Sequence, residues 1–369
     1  MAHEYTIGVE EEYQIVGGAS RALKPRSDDI LPDAEEELGD KVGHELYLSQ
    51  IEIGTPICHS LDDVRREIIT ARRAVIESAR ASNSDIAAAG THPFSHWDDQ
   101  DLTPKERYLD MQEDYQQLVR EHIICGCHVH IGVPDPSSAI DVLNRARSYL
   151  HVLIALAGNS PFWLGEDTGY SSYRTEVWRR WPMAGSPHPF SGRAEYDALV
   201  KALVDSGSIS DETKIYWDIR PADRFGTIEF RATDVCLSVD EAVLMAGLCR
   251  ALARHALESA ASDALTFVPT RPELLRAAEW RAARYGLDGD LVDVKTGTAR
   301  PAHEMVLELR DTLRPALEAN SDWDTVATLL DELLARGNGA ARQRAVYAKT
   351  GDFKDVVNFV VEETARGVV

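Results

Sequence analysis

The sequence predicts an α+β fold, a largely antiparallel sheet with helices packed on one of its faces. Three observations predict it. The strand-like segments alternate apolar and polar residues, whereas the strands of a buried parallel sheet read as continuous apolar runs. Strand-like and helix-like segments interleave over the first two thirds of the 369 residues, and the last third, from about residue 238, is nearly all helical in pattern. Several connections are longer than a βαβ unit requires. No internal repeat or low-complexity tract divides the chain, so residues 1–369 read as a single domain.

Taken in order, strands are expected at 4–16 (EYTIGVEEEYQIV), 44–53 (HELYLSQIEI), 85–90, 123–133 (IICGCHVHIGV), 214–220 (KIYWDIR) and 226–233 (GTIEFRAT). A helix is expected at 60–82, where Ser60 is placed as N-cap before LDDVRREIITARRAVIESA, and another at 136–157, opened by Pro136 and Ser137. Periodicity predicts further helices at 104–121, 193–205, 238–261, 272–285, 301–318, 322–336 and 352–366. The stretch 158–192 is rich in Gly, Pro and Ser and holds Trp163, Trp178 and Trp181. It is too long for an ordinary connection and too aromatic for disorder, so a binding loop is expected there.

Composition narrows the function. Asp and Glu number 61 against 39 Lys and Arg, a formal net charge of −22. Nucleic acid and anionic membranes are bound through Lys and Arg, so both are excluded as partners. Small anions stay open, because a bound cation reverses the local sign of a pocket. Five Cys do not make a disulfide framework, and Cys125 and Cys127 are expected to pack as small apolar residues. The start, MAHEYTIGVEEE, lacks a basic and then apolar leader, and no run of about 18 apolar residues occurs. A cytoplasmic protein is expected. No Gly-x-x-x-x-Gly-Lys-Ser/Thr or Gly-x-Ser-x-Gly is present, His303-Glu304 lacks a second His, and Gly337-Asn338-Gly339 reads as punctuation between helices.

Successive side chains of a strand point to opposite faces. Glu10 and Glu12 therefore project together, opposite Ile7, Val9, Tyr13 and Ile15; Glu11 falls on the apolar side, an irregularity that a bulge or strand edge could relieve. Glu52 opposes Ile51 and Ile53, His128 and His130 oppose Val129 and Ile131, and Glu229 and Arg231 oppose Ile228 and Phe230. If the apolar faces pack on helices, the other faces gather Glu10, Glu12, Glu52, Glu229, His128, His130 and Arg231 on one surface. Such a face is ordinarily just the solvated side of an antiparallel sheet. Here it carries mostly carboxylates and imidazoles, which repel or titrate unless cations bind them. Oxygen donors with one or two imidazoles suit Mg²⁺ or Mn²⁺ better than Zn²⁺, as phosphate chemistry requires.

The segments GVEEEYQIV (8–16), ELYLSQIEIGTP (45–56), GCHVHIGVP (126–134), TGYSSYRTEVWRRWPMAG (168–185) and GTIEFRATDVC (226–236) together resemble, in order and spacing, the glutamate-cysteine ligase type 2 family of carboxylate-amine ligases. That family is similar in fold to the catalytic domain of glutamine synthetase, a curved, mostly antiparallel sheet forming a funnel with helices outside it. The resemblance implies that Glu10, Glu12, Glu52, His128 and Glu229, with Glu45 as a further acidic position, hold two or three Mg²⁺ (or Mn²⁺). It implies that Glu12, Glu229 and Arg231 are catalytic, Arg231 facing the transferred phosphate. It implies that Arg174, Tyr170 and Trp217, with Arg231, meet ATP or substrate. Many relatives have an amide at His130, and Glu11 is read as structural. The implied reaction is ATP-dependent joining of the γ-carboxylate of glutamate to an amine such as that of cysteine through an acyl phosphate, a step of glutathione biosynthesis. Relatives are often homo-oligomers, so a homo-oligomer such as a dimer is implied. Ligation of another carboxylate or amine on this scaffold, and a metal-binding regulatory protein without catalysis, remain the alternatives.

Overall fold

The computed structural model describes residues 5–263 and 268–369. The path begins β1 (Ile7–Gly17), α1 (Ser27–Leu38), β2 (Val42–His44), β3 (Gln50–Gly54), α2 (Leu61–Ala81) and β4 (Ser84–Ala87). It continues α3 (Glu106–Tyr115), α4 (Gln117–Arg120), β5 (Gly126–Gly132), α5 (Pro136–Ala146), α6 (Leu150–Ala157), β6 (Phe162–Trp163), β7 (Glu166–Asp167), α7 (Tyr173–Trp178) and α8 (Arg193–Asp205). Next come β8 (Ile219–Ala222), β9 (Thr227–Asp234), α9 (Val239–Asp263), α10 (Pro272–Tyr285), β10 (Asp290–Asp293) and β11 (Thr298–Pro301). The chain closes with α11 (Ala302–Ala319), α12 (Trp323–Arg336), α13 (Gly339–Thr350) and α14 (Phe353–Ala365).

Seven strands form one sheet in the order β2-β3-β1-β5-β9-β8, with β4 also on β1. Every pairing is antiparallel. The apolar faces of β1, β3, β5, β8 and β9 supply Ile7, Val9, Ile51, Ile53, Val129, Ile131, Ile219, Ile228 and Phe230 to a core completed by α2, α5, α6 and α9. The expected mixed architecture is observed. At α2, Ser60 Oγ accepts from Asp63 N–H and Asp63 accepts from Ser60 N–H, each at 3.1 Å, a reciprocal cap that sets where the helix starts.

Several boundaries differ from expectation for local reasons. The 44–53 segment is two strands, β2 and β3, and leaves Glu45 in the turn between them. The 104–121 helix breaks at Gln116, whose φ of 49° no helix accommodates. The 136–157 helix is capped by Asp135, with Pro136 in its first turn, and is interrupted by a 3₁₀ turn at Arg147–Tyr149. Of the 214–220 segment only Ile219 and Arg220 are strand, and β8 runs on to Ala222. Inside 158–192 lie the β6–β7 hairpin and α7. All five Cys are free and buried, Cys125 and Cys127 within the apolar core. Among the described residues no helix is long and apolar enough to cross a membrane.

Glu11 is relieved neither by a bulge nor by an edge. It is fully buried, and Arg72 of α2 meets it twice, Nη2 to Oε1 at 2.6 Å and Nε to Oε2 at 3.0 Å. The same guanidinium donates to the carbonyls of Cys236 at 2.8 Å and Leu237 at 3.3 Å, and Tyr13 Oη donates to Glu11. The bulge lies elsewhere: between β5 and β9, Cys127 pairs with Thr233 but Val129 with Phe230, so Arg231 and Ala232 together oppose His128. Arg231 N–H then donates away from β5, to Asp218 O at 2.8 Å.

Two stability predictions follow from buried polar groups. Arg72→Met strands Glu11 as an unpaired buried charge, so urea unfolding should report a loss of about 3–5 kcal/mol, while the Glu11→Leu/Arg72→Met double variant should lose much less. His92 is buried; its Nδ1 accepts from Phe94 and Ser95 N–H, its Nε2 meets Arg21 O, and burial pushes it down to about 4. It is neutral in the folded chain and charges in the unfolded one, so its contribution is intact above pH 6.5 and lost as pH falls toward 4. At pH 5 the loss is about 2 kcal/mol, and His92→Asn, which keeps an acceptor for both N–H groups, should flatten the pH 7 to 5 slope of unfolding free energy.

Candidate active site on the polar face of the sheet

The polar face lines a cavity of about 390 Å³. Strand register explains why its residues meet: Glu12 lies opposite Glu52, Glu10 opposite His128, and His130 and Arg220 each opposite Glu229. The turn before β3 adds Glu45, α3 adds Arg107 and Tyr108, and the 158–192 segment adds Arg174, Trp178 and Trp181.

The acidic half holds more carboxylate than the described cations neutralise. Glu12 Oε2 accepts from Gly126 N–H at 2.6 Å, yet burial and then the neighbouring Glu45 push its carboxyl up to about 8. Glu52 is pushed well up by burial and then by Glu45, Glu10 and Glu12. Glu45, whose Oε2 accepts from Tyr108 Oη at 3.3 Å, is also raised, mainly by burial. Glu10 behaves oppositely: burial opposes ionisation, but hydrogen bonds from His128 and His130 outweigh it and hold the carboxyl low. Burial and Arg231 push His128 down to about 4, so it is a neutral imidazole at physiological pH, as a metal ligand must be.

The cationic half faces this wall. Glu229 sits between two guanidiniums, accepting from Arg220 Nε at 2.6 Å and from Arg231 Nη1. Burial opposes its ionisation, but Arg231 and Arg220 overcome that and keep it ionised. Arg231 and Arg174 both lie over the Trp178 ring, at 5.4 and 5.6 Å. Arg174 is 2% exposed, and its Nε and Nη1 have no hydrogen-bond partner. Its place depends on Gly126, since a Cβ there would come within 2.3 Å of Arg174 Nη2. Asp234 fixes the approach to it: its carboxylate accepts from Asn159 N–H at 2.8 Å, Ser160 Oγ at 2.7 Å and Ser172 Oγ at 2.6 Å, and Ser160 Oγ accepts from Arg174 N–H. Asn159 is held in turn by Gln343 of α13 at 2.7 Å.

The donor set fits divalent cations. Glu10, Glu52 and His128 present ligand atoms within 4.8 Å of one another, and so do Glu10, His130 and Glu229. Hard carboxylate oxygens with imidazole are the ligands of Mg²⁺ or Mn²⁺, and a cation would relieve the repulsion that raises Glu12 and Glu52.

Of the residues expected from sequence, Glu10, Glu12, Glu45, Glu52, His128, Arg174, Glu229 and Arg231 all line the cavity. Glu12 and Glu45 stand outside both tight trios. Tyr170 and Trp217, expected to meet ATP or substrate, do not line it. Tyr170 Oη accepts from Trp280 Nε1 at 3.2 Å and its ring carries Arg284 of α10, while Trp217 is buried against Phe190 and Tyr196. Arg220, Tyr108 and the Trp181–His122 pair, joined by a 2.9 Å hydrogen bond, line the cavity without having been expected. Only Arg220 carried a signal, standing opposite the apolar Ile219 in strand alternation.

The family that the chain matches is one of ATP-dependent ligases forming a C–N bond between a carboxylate and an amine. The chain belongs to glutamate-cysteine ligase family 2, whose pattern matches residues 6–359. A Rhodopirellula baltica protein named "Putative glutamate--cysteine ligase 2" is 42% identical over 369 residues, covering 99% of this chain and 98% of its own. A Frankia alni protein named "Putative glutamate--cysteine ligase 2-2" is 42% identical over 375 residues, covering 97% of each. In fold, the chain is similar to the glutamate–cysteine ligase of Francisella tularensis solved with AMP, with a TM-score of 0.74 at 13% identity over 100% of this chain and 89% of that one. A bifunctional glutathione synthetase of Pasteurella multocida gives a TM-score of 0.69 at 14% identity, over 99% of this chain and 53% of that one.

Removing one of the crowded acids should separate stability from metal binding. Glu52→Gln should melt above the wild type in EDTA, by about a degree or more, because a buried repulsion is gone. On adding Mg²⁺ the wild type should gain melting temperature and the variant distinctly less, as read by differential scanning fluorimetry.

Proposed function

We propose that the protein joins the γ-carboxylate of L-glutamate to the amine of L-cysteine, consuming ATP and releasing ADP and phosphate. One observation supports this most: an acidic wall able to hold cations stands across one cavity from Arg231 and Arg174, both buried and both with unpartnered guanidinium nitrogens. A nucleotide polyphosphate needs the first and a carboxylate or a transferred phosphoryl group needs the second.

The glutamate γ-carboxylate oxygen attacks the γ-phosphorus of ATP, and the bond to the β-phosphate breaks with its electron pair leaving on ADP. The amine nitrogen then attacks the acyl carbon, the bond to phosphate breaks, and the amine proton passes to solvent. Two or three Mg²⁺ (or Mn²⁺) held by Glu10, Glu12, Glu52, His128 and Glu229, with Glu45 close by, would neutralise the phosphate oxygens. Arg231 is oriented by its Glu229 partner and offers paired donors to the equatorial oxygens of the transferred phosphoryl group. Arg174, fixed beneath Gly126 and over Trp178, can hold a substrate carboxylate by the same donor geometry.

Incubation with Mg²⁺-ATP, glutamate and a panel of amines tests this by ADP release and mass spectrometry. Cysteine-dependent ADP release with γ-glutamylcysteine is the expected result, and release that follows another amine or carboxylate reassigns the substrates. Glu12→Gln and Arg231→Lys should each lower turnover by at least about two orders of magnitude with the circular dichroism spectrum unchanged. Near-normal turnover in both would overturn the assignment.

A further inference from the structure

We propose that Arg107 selects the amine: its guanidinium holds the α-carboxylate of the incoming amine substrate and so restricts ligation to α-amino acids. The inference rests on the ligase reading of this cavity and not on which amino acid is joined.

Along β1 the cavity has two ends. At one, Gly8 lies opposite His130, whose ring is met edge-on by Phe225 of the β8–β9 turn with centroids 5.7 Å apart. At the other, Glu12 accepts from Gly126 N–H and Arg174 packs against Gly126. Arg107 belongs to the second end. Its charge acts on Glu45, the acid that in turn raises Glu12, and on Tyr216. Tyr216 stands edge-on to Trp178 and Trp181, with centroids 5.6 and 5.1 Å apart, and its Oη donates to Met111 Sδ at 3.8 Å. The helix α3 therefore faces the same space as the arginine loop.

α3 lends the core little. Met111 is its only buried residue, and Arg107, Tyr108 and Met111, within one turn of each other, all line the cavity. Arg107 is exposed at the mouth, and among the described residues it makes no hydrogen bond or ion pair, whereas Arg220 and Arg231 are both held by Glu229. A carboxylate arriving beside Glu12, Glu45 and Glu52 is repelled unless a cation answers it. Arg231 and Arg174 are matched to the transferred phosphoryl group and to one carboxylate. An α-amino acid arriving as the amine brings one more, which a planar guanidinium binds through paired donors. Were Arg107 only a counter-charge to the acidic wall, its loss would slow every amine alike.

The test uses the full chain with Mg²⁺-ATP and glutamate. The amine that supports ADP release, cysteine in the first instance, is compared in kcat/KM with its decarboxylated counterpart, here cysteamine, for the wild type, Arg107→Ala and Arg107→Lys. The wild type should favour the amino acid by at least about tenfold, Arg107→Ala should bring that ratio within about threefold, and Arg107→Lys should restore part of it. The preference for glutamate over 4-aminobutyrate, which lacks the α-carboxylate, should change by less than about twofold in Arg107→Ala, since another guanidinium serves glutamate. An amine preference unchanged in Arg107→Ala, a glutamate preference that falls instead, or a wild type that accepts the decarboxylated amine equally well overturns this inference alone. If no amine supports ADP release, it falls together with the ligase reading.

Discussion

Three consecutive carboxylates on a central strand set the terms for the rest of the molecule. The pleat forces Glu10 and Glu12 to one side of β1 and Glu11 to the other, so the strand carries charge into both faces. On the helical side a lone buried carboxylate would cost several kcal/mol, and Arg72 offsets that by pairing with it and with two carbonyls that follow β9. The pair therefore ties α2, β1 and the start of the α9 connection together. On the open side Arg174 and Arg231 act on Glu12, and Arg231 on Glu52, only partly offsetting burial and the neighbouring acids, so both carboxyls stay raised.

The two halves of the cavity are made by different means. The acids come from regular strands in regular register, so their spacing is a property of the sheet. The arginines come from departures from regularity: a bulge turns Arg231 out of register, and a loop delivers Arg174 into the space that Gly126 leaves open. Both guanidiniums lie over the one Trp178 ring. Binding energy for an anion is thus stored in positions that the sheet alone would not create.

This division also explains what could be read from the sequence. Period-two alternation was enough to gather Glu10, Glu12, Glu52, His128, Glu229 and Arg231 on one face, because each of those strands, Glu11 apart, keeps an apolar side. Family resemblance added Glu45 and Arg174, which no periodicity could place, one in a turn and one on a six-residue helix. It also suggested Tyr170 and Trp217, whose rings serve packing with α10 and with the Phe190–Tyr196 cluster. The Arg72 partner of Glu11 was invisible, since 61 residues separate them. The role of the last third was equally hidden: Gln343 and Asn338 contribute no chemistry, but they clamp Asn159 and Ser171 beside the arginine loop.

The Asp234 junction has a consequence for how the protein comes into being. Its three donors, Asn159, Ser160 and Ser172, precede it by 62 to 75 residues, and the clamp on Asn159 comes a further 184 residues after that residue. During synthesis the acidic strands β1, β3 and β5 emerge long before the contacts that fix Arg174 exist. In chain order the last contact around the arginine loop is therefore the one made by α13, a helix with no side chain lining the cavity.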